Sequence, residues 1–340
     1  MCLIPKYEEK VGVLFAADDN YVPYLGTAVF SLINSRNETT KLDIIILENG
    51  FSSKNRMLLS DLTRNSDDIS IRFVDLLQFV SKLSVNPSEH VSINCFAKDF
   101  CTNQVFSLYD RMIVMDSDLV VIGDIHDLMM AEMHGRKSAA VKDYFLSIMV
   151  KNKYHTDQRL NSILFDDYLN RIGIELDNYY NAGVMVFDIK KCQKYRFEEV
   201  ILDVLHKWPS VMYPSQDEVI MALDGDIDEL ELMWNYQNPY ALCSHYKDFP
   251  IDYLGKVSEA KIVHFLGKSK PWHDLRCLNG ELFWDYARQT PWIDIIIKRQ
   301  KEYEKKNYFD LHIIPKGSIR RALFLKVKNE IQRIINKERG

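Results

Sequence analysis

The sequence predicts an α/β fold in which parallel strands aim their C-terminal ends at one ligand crevice, followed by a helical, basic tail. Three observations predict it. Short apolar runs alternate with segments of helical spacing up to residue 74, a carboxylate pair stands directly behind a further apolar run, and the charge divides between an acidic body and a basic end.

The elements follow in order. Residues 11–16 are an apolar run ending in Ala17-Asp18-Asp19-Asn20, and 24–33 follow with helical spacing, so the opening is strand, loop, helix. Residues 42–47 are a second buried strand, 53–62 a helix capped by Ser52 or Ser53, and 69–74 a third strand. This is a βαβαβ half, and nucleotides bind in such crevices. No Gly-x-Gly-x-x-Gly or Gly-x-x-x-x-Gly-Lys-Ser/Thr is present, so a metal, not a helix N-terminus, would have to hold a diphosphate here. Asp18, at the first strand's end, can accept hydrogen bonds from a base or ribose; it can equally cap the next helix.

The apolar run Met112-Ile113-Val114-Met115 leads into Asp116-Ser117-Asp118, and Leu119-Val120-Val121-Ile122 follows. Two carboxylates one residue apart at the end of a buried strand are costly unless a cation compensates them. Hard oxygen ligands suit Mg2+ or Mn2+, which can bridge to a diphosphate; two solvated aspartates capping a strand fit the same letters. Far downstream, His264 ends the apolar run Ile262-Val263 and is followed by Gly267 and Lys270-Pro271-Trp272. The imidazole can join both aspartates as a metal ligand and favours Mn2+ over Ca2+. Gly267 permits close approach to a phosphate, and Lys270 offers it a point charge. Tyr180-Asn181-Ala182-Gly183 is expected to be a turn before a strand at 184–187. Asn181 there can both donate to and accept from a sugar hydroxyl, although tight-turn chemistry selects the same residues.

The 340 residues are 47% hydrophobic and 27% charged, enough for one large α/β domain and an appendage. The net charge of -5 argues against a general nucleic-acid binder. Residues 286–340 hold 14 Lys and Arg against 6 Asp and Glu, which leaves -13 on residues 1–285. The expected organisation is therefore a catalytic domain over 1–285 and a basic helical region over 286–340. Within the latter, Ile319, Leu323, Val327, Ile331 and Ile334 or Ile335 recur at helical spacing among Arg320, Arg321, Lys328 and Arg333. Such a helix, over about 311–340, suits either an anionic membrane surface or packing on the body. Six cysteines without a Cys-x-x-Cys spacing point to free thiols in a reducing compartment. With no leader-like apolar region and no membrane-spanning run, the expected location is cytoplasmic, peripheral on the inner membrane face.

Phe15-Ala16-Ala17-Asp18-Asp19-Asn20-Tyr21, the Asp116-Ser117-Asp118 strand, Asn181-Ala182-Gly183-Val184, Gln216-Asp217 and His264-Phe265-Leu266-Gly267-Lys268-Ser269-Lys270-Pro271-Trp272-His273 together resemble glycosyltransferase family 8, in the same order over about residues 11–275. The pattern is most similar to bacterial lipooligosaccharide and lipopolysaccharide α-galactosyl- or α-glucosyltransferases. The resemblance implies a GT-A fold, a single Rossmann-like nucleotide-binding domain with a mixed central sheet flanked by helices. It also implies a retaining, metal-dependent enzyme that uses a UDP-sugar.

By this resemblance Asp116, Asp118 and His264 ligate Mn2+ or Mg2+, Gly267 and Lys270 hold the diphosphate, and Ser117 lies with them against the donor. Ala16, Asp18 and Asn20 match uridine-contacting positions, His90 falls in the loop that folds over the donor, and Asp143, Asn181 and Ala182 match the donor-sugar pocket. Gln216 falls near the anomeric carbon, with Asp217 beside it as a second catalytic candidate. The family's Asp-Gln-Asp is here Ser215-Gln216-Asp217, so Ser215 leaves the donor sugar open. Lys98, in Phe96-Ala97-Lys98, stands where the family has the arginine of Tyr-x-Arg, keeping the charge without the bidentate fork. The implied reaction moves galactose or glucose from a UDP-sugar to a hydroxyl of a glycan, lipopolysaccharide or other glycoconjugate. The metal acts as Lewis acid on the leaving UDP, and attack comes from the same face. Two alternatives stay open. One is a haloacid-dehalogenase-type phosphatase with Asp116 as nucleophile and Asp224-Gly225-Asp226 as its later acidic motif; the other is a silent sugar-nucleotide or glycan-binding module, suggested by Ser215 and Lys98.

Overall fold

The structure, a computed structural model, describes residues 2–64, 66–80, 100–239, 251–267 and 270–313. His90, Lys98 and the tail beyond residue 313 lie outside them. Ten strands are present among the described residues: β1 (Val11–Asp18), β2 (Leu42–Asn49), β3 (Ile69–Asp75), β4 (Arg111–Met115), β5 (Leu119–Val121), β6 (Ser138–Lys142), β7 (Tyr180–Asp188), β8 (Ile227–Glu229), β9 (Tyr236–Asn238) and β10 (Ile262–Phe265). Seven form a main sheet in the order β3-β2-β1-β4-β7-β6-β8, and three form a smaller sheet, β5-β10-β9.

β1 and β2 are apolar on both faces because both faces are covered. Val13, Phe15, Ile44 and Ile46 enter one core, while Leu14, Ile45 and Leu47 enter the other, following the period of two. β1 pairs in parallel with β2 and β4, and β2 with β3, so these strands end on one side. β7 runs antiparallel to both β4 and β6, which makes the sheet mixed. The expected βαβαβ half, its helices and the mixed sheet are all present.

One expectation changes. The Tyr180-Asn181-Ala182-Gly183 segment is not a turn before a strand but the first half of β7. Asx and glycine chemistry favours a turn locally, yet two neighbouring strands offer this backbone a partner. The turn tendency survives as an irregularity: Ala140 of β6 faces Met185, whereas the next residue, Val141, faces Asn181. β7 bulges there, beside the carboxyl ends of β1 and β4.

The first helix, Val22–Ser35, follows β1 directly. Its Gly26 faces the indole of Trp292, so closely that a Cβ would lie 2.3 Å from Trp292 Cζ3. Trp292 opens the helix Ile293–Lys306, which places the first helix of the basic region against the first helix of the βαβαβ half. The second helix, Ser53–Asp61, is capped by Ser52, whose hydroxyl accepts from Asn55 N at 3.3 Å. Cys2, Cys101, Cys192 and Cys277 are free thiols. Among the described residues no helix is long and apolar enough to cross a membrane.

Candidate active site

Three strands assemble the carboxylate site. β4 carries the chain into Asp116, and β5 starts immediately after Asp118. β10 runs antiparallel to β5 with His264 opposite Leu119, which sets the imidazole beside carboxylates far away in sequence. His264 Nε2 lies 3.1 Å from Asp118 Oδ1 and 3.8 Å from Asp116 Oδ2. One ligand atom from each of the three residues falls within 4.8 Å of the others. The intervening loop is fixed at both ends: Asp116 N donates to Gly183 O at 2.9 Å, and Phe265 N donates to Asp118 O at 2.9 Å. Ser117 Oγ donates to Ala16 O at 3.0 Å and ties the loop to the end of β1.

Lys270 pairs with Asp118 Oδ2 and also donates to Phe265 O. Burial alone would raise the Asp118 carboxyl, but the Lys270 ammonium and His264 outweigh it and hold the group far below the usual carboxylate range. Gly267, two residues beyond β10, has φ +68°, a left-handed conformation that suits glycine and leaves its backbone open to a ligand.

The donor set fits a divalent cation. His264 Nε2 and Asp118 Oδ1, 3.1 Å apart, need either a hydrogen on the nitrogen or a cation between them. Two carboxylates and an imidazole suit Mn2+ or Mg2+. The ring fits only because residue 183 is glycine: a Cβ there would lie 2.1 Å from His264 Cε1.

A second group of polar side chains adjoins the first. Asn181 Nδ2 donates to Asp143 Oδ2 at 3.1 Å, and Gln216 Nε2 donates to the same oxygen at 2.9 Å. Gln216 Oε1 accepts from Ala182 N at 3.0 Å. Asp143 is further held as the cap of the helix Tyr144–Lys151, its Oδ1 accepting from Leu146 N at 2.8 Å. The expected sugar-pocket residues Asp143, Asn181, Ala182 and Gln216 are therefore brought together. Ser215, next to them, is buried with φ +66°, and its N–H donates to Glu218 Oε2 at 2.6 Å.

Asp217 is placed differently from the sequence expectation. It is 0% exposed, and Tyr168 OH and Tyr213 N donate to its Oδ2 at 2.6 and 2.8 Å, while Tyr179 OH donates to Oδ1. Burial pushes its carboxyl up to about 6 against the pull of these donors. Enclosed by these three donors, it stands behind Gln216, whose Nε2 also reaches Tyr179 OH at 3.2 Å.

The loop after β1 is braced on its own account. Asp18 Oδ1 accepts from Tyr21 N at 2.9 Å, and Asp19 Oδ1 accepts from Ser52 N and Asn55 Nδ2 at 2.8 and 2.7 Å. Asn20 is exposed, and its carbonyl accepts from Arg299 at 2.5 Å. Asp226, the phosphatase-like residue, lies elsewhere: it pairs with Lys137 just before β8, at the end of β6 opposite Asp143. Sequence reasoning missed Asn235, Tyr168, Tyr179 and Arg299. A signal existed for the first: Asn235, Gln237 and Asn238 are three amides within an otherwise aromatic and apolar stretch, and all are buried.

The chain is similar to known glycosyltransferases. A lipopolysaccharide 1,2-glucosyltransferase of Escherichia coli K12 is 25% identical over 291 residues, covering 84% of this chain and 80% of that protein. General stress protein A of Bacillus subtilis is 23% identical, covering 84% and 96%. Among solved structures, the bifunctional glycosyltransferase WbbM superposes with a TM-score of 0.77 at 27% identity. The match covers 88% of this chain, which spans about half of that protein (53%). The galactosyltransferase LgtC, solved with donor and acceptor sugar analogues, shares the fold with a TM-score of 0.60 at 22% identity. The family model for glycosyl transferase family 8 matches residues 12–276, which include β1, the Asp116, Asp118 and His264 cluster and the Gln216 group; the chain belongs to glycosyltransferase family 8 and is a glycosyltransferase.

Proposed function

We propose that this enzyme transfers a hexose, glucose or galactose, from a UDP-sugar to a hydroxyl of a glycan or lipopolysaccharide acceptor, with retention at the anomeric carbon and with Mn2+ or Mg2+. The observation that carries this is the grouping of Asp116, Asp118 and His264 within 4.8 Å at the carboxyl ends of the strands, next to the Asp143, Asn181 and Gln216 cluster. The names of its relatives, a lipopolysaccharide glucosyltransferase and a galactosyltransferase, support the hexose and the acceptor class.

Asp116, Asp118 and His264 would hold the metal, which supplies Lewis-acid stabilisation of the leaving diphosphate. The chain's own residues do the rest. Ala16, Asp18 and Asn20, at the end of β1, receive the uridine, and Ser117 holds the carboxylate loop against Ala16. Lys270 and the open backbone at Gly267 take diphosphate oxygens; Lys98, which keeps a positive charge for the donor, and His90 are further donor-site candidates outside the described residues. Asp143, Asn181, Ala182 and Ser215 contact the sugar. Gln216 presents its amide oxygen near the anomeric carbon, held there by Ala182 N–H and Asp143. Among the described residues no open pair of carboxylates flanks that point, since Asp217 is enclosed, so retention by same-face attack suits this site better than a glycosidase-type double displacement. The acceptor is placed at the cytoplasmic face of a membrane, reached through residues 311–340.

The test is UDP release across a panel of UDP-sugars, with Mn2+ and with EDTA. Turnover with UDP-glucose or UDP-galactose that EDTA abolishes is the expected result. Donor binding without turnover under all conditions would instead identify a silent binding module.

A further inference from the structure

We propose that Asn235 is a positioning residue that locks the metal-binding tautomer of His264 and joins it rigidly to the donor-sugar pocket, an inference that rests on the reading of Asp116, Asp118 and His264 as a metal site. Asn235 is 0% exposed and lies between the short turn Leu232–Trp234 and β9. Its Oδ1 is 3.1 Å from His264 Nδ1, and its Nδ2 is 2.8 Å from Asn181 Oδ1.

The polarity of this chain follows from backbone groups that cannot change role. Gly183 N–H can only donate, and at 3.0 Å it donates to the Asn181 side chain, which must therefore present its oxygen. That oxygen accepts from Asn235 as well, so Asn235 turns its NH2 towards Asn181 and its carbonyl oxygen towards His264. His264 Nδ1 then carries a hydrogen, so the neutral ring keeps its lone pair on Nε2, the nitrogen that faces the two aspartates and that a metal would take. The same logic runs to the other end. Ala182 N–H fixes the oxygen of Gln216, whose NH2 must meet Asp143, and Asn181 turns its own NH2 to the same carboxylate. Two successive amide protons of the β7 bulge, on Ala182 and Gly183, thus set every side-chain orientation from His264 to Gln216.

The test compares the full-length protein with Asn235→Leu, which removes the acceptor, and Asn235→Asp, which keeps it. In 15N spectra of histidine-labelled, metal-free protein, His264 is expected as the Nδ1–H form in the wild type and as a mixture in Asn235→Leu. Mn2+ affinity, measured by EPR without donor, is expected to fall about 10- to 100-fold in Asn235→Leu and to recover in Asn235→Asp. A wild-type His264 protonated on Nε2, or an Asn235→Leu protein that binds Mn2+ as tightly as wild type, overturns the proposal. If Asn235→Leu does not fold, an Asn235→Asp protein that loses Mn2+ affinity as severely as Asp118→Ala does the same. Wild type that binds no Mn2+ while His264 still shows the Nδ1–H form refutes the metal reading alone and leaves the locked tautomer standing.

Discussion

Asp217 illustrates how one residue can be visible in sequence while its surroundings are not. Its place beside Gln216 was legible from the Ser215-Gln216-Asp217 triplet, but its enclosure by Tyr168 and Tyr179 was not, because those rings arrive from segments 49 and 38 residues away. Asn235 stands among three amides in an apolar stretch, but which of them matters shows only once folding supplies His264 and Asn181. Enclosure gives Asp217 a measurable signature. Burial pushes its carboxyl up to about 6, above the ordinary aspartate range, so the folded state holds the proton more tightly. The stability this contributes is fully present below about pH 4 and is lost as pH rises through 6, with a slope of at most about 1.4 kcal/mol per pH unit. Asp217→Asn, which cannot ionise, is expected to flatten the fall in melting temperature between pH 4 and 6; an unchanged slope would assign the titration to another group.

At the level of elements, the parallel half was legible because its strands are covered on both faces and therefore read as continuous apolar runs. β7 was legible only in its second half. Pairing with β4 and β6 extends it backwards through Asn181-Ala182-Gly183, and long-range pairing leaves no local trace in a segment whose residues also suit a turn. The second sheet escaped for the same reason, its three strands being short and joined only in space. The bulge in β7 has a mechanical role, since it brings the bare Cα of Gly183 under the His264 ring. Gly183→Ala places a methyl where the ring lies, and overpacking of this kind costs about 1–3 kcal/mol. The expected outcome is a protein with a lowered urea midpoint whose Mn2+ affinity falls at least tenfold, read by calorimetric titration. Undiminished affinity would show that the ring can move without leaving its ligand position.

For the whole molecule, composition divided the chain at about residue 285, whereas the packing of Trp292 continues the core past that point. Trp292 fills the space over Gly26 and donates from Nε1 to Asn55 Oδ1 at 3.0 Å; Asn55 in turn holds Asp19. Sequence reasoning could not see this contact, which joins residues 237 apart. Trp292→Ala is expected to cost about 3–5 kcal/mol, measured by urea unfolding, and to weaken UDP binding by loosening the loop after β1. A fall in stability with UDP affinity intact would separate the wedge from the loop. The pairing of Lys270 with Asp118 extends in a different direction, to the order in which ligands arrive. A metal ion entering the proposed site alone would compete with an ammonium already seated on Asp118, whereas a diphosphate would offer that ammonium another anion. Metal and nucleotide should therefore show positive thermodynamic linkage, each tightening the other by the same factor, about fivefold or more. Lys270→Met should reverse the balance: Mn2+ alone binds more tightly than to wild type, Mn2+ with UDP more weakly, and the linkage falls towards one. On the proposed reading, the cation would be loosely held until the nucleotide sugar comes to claim it.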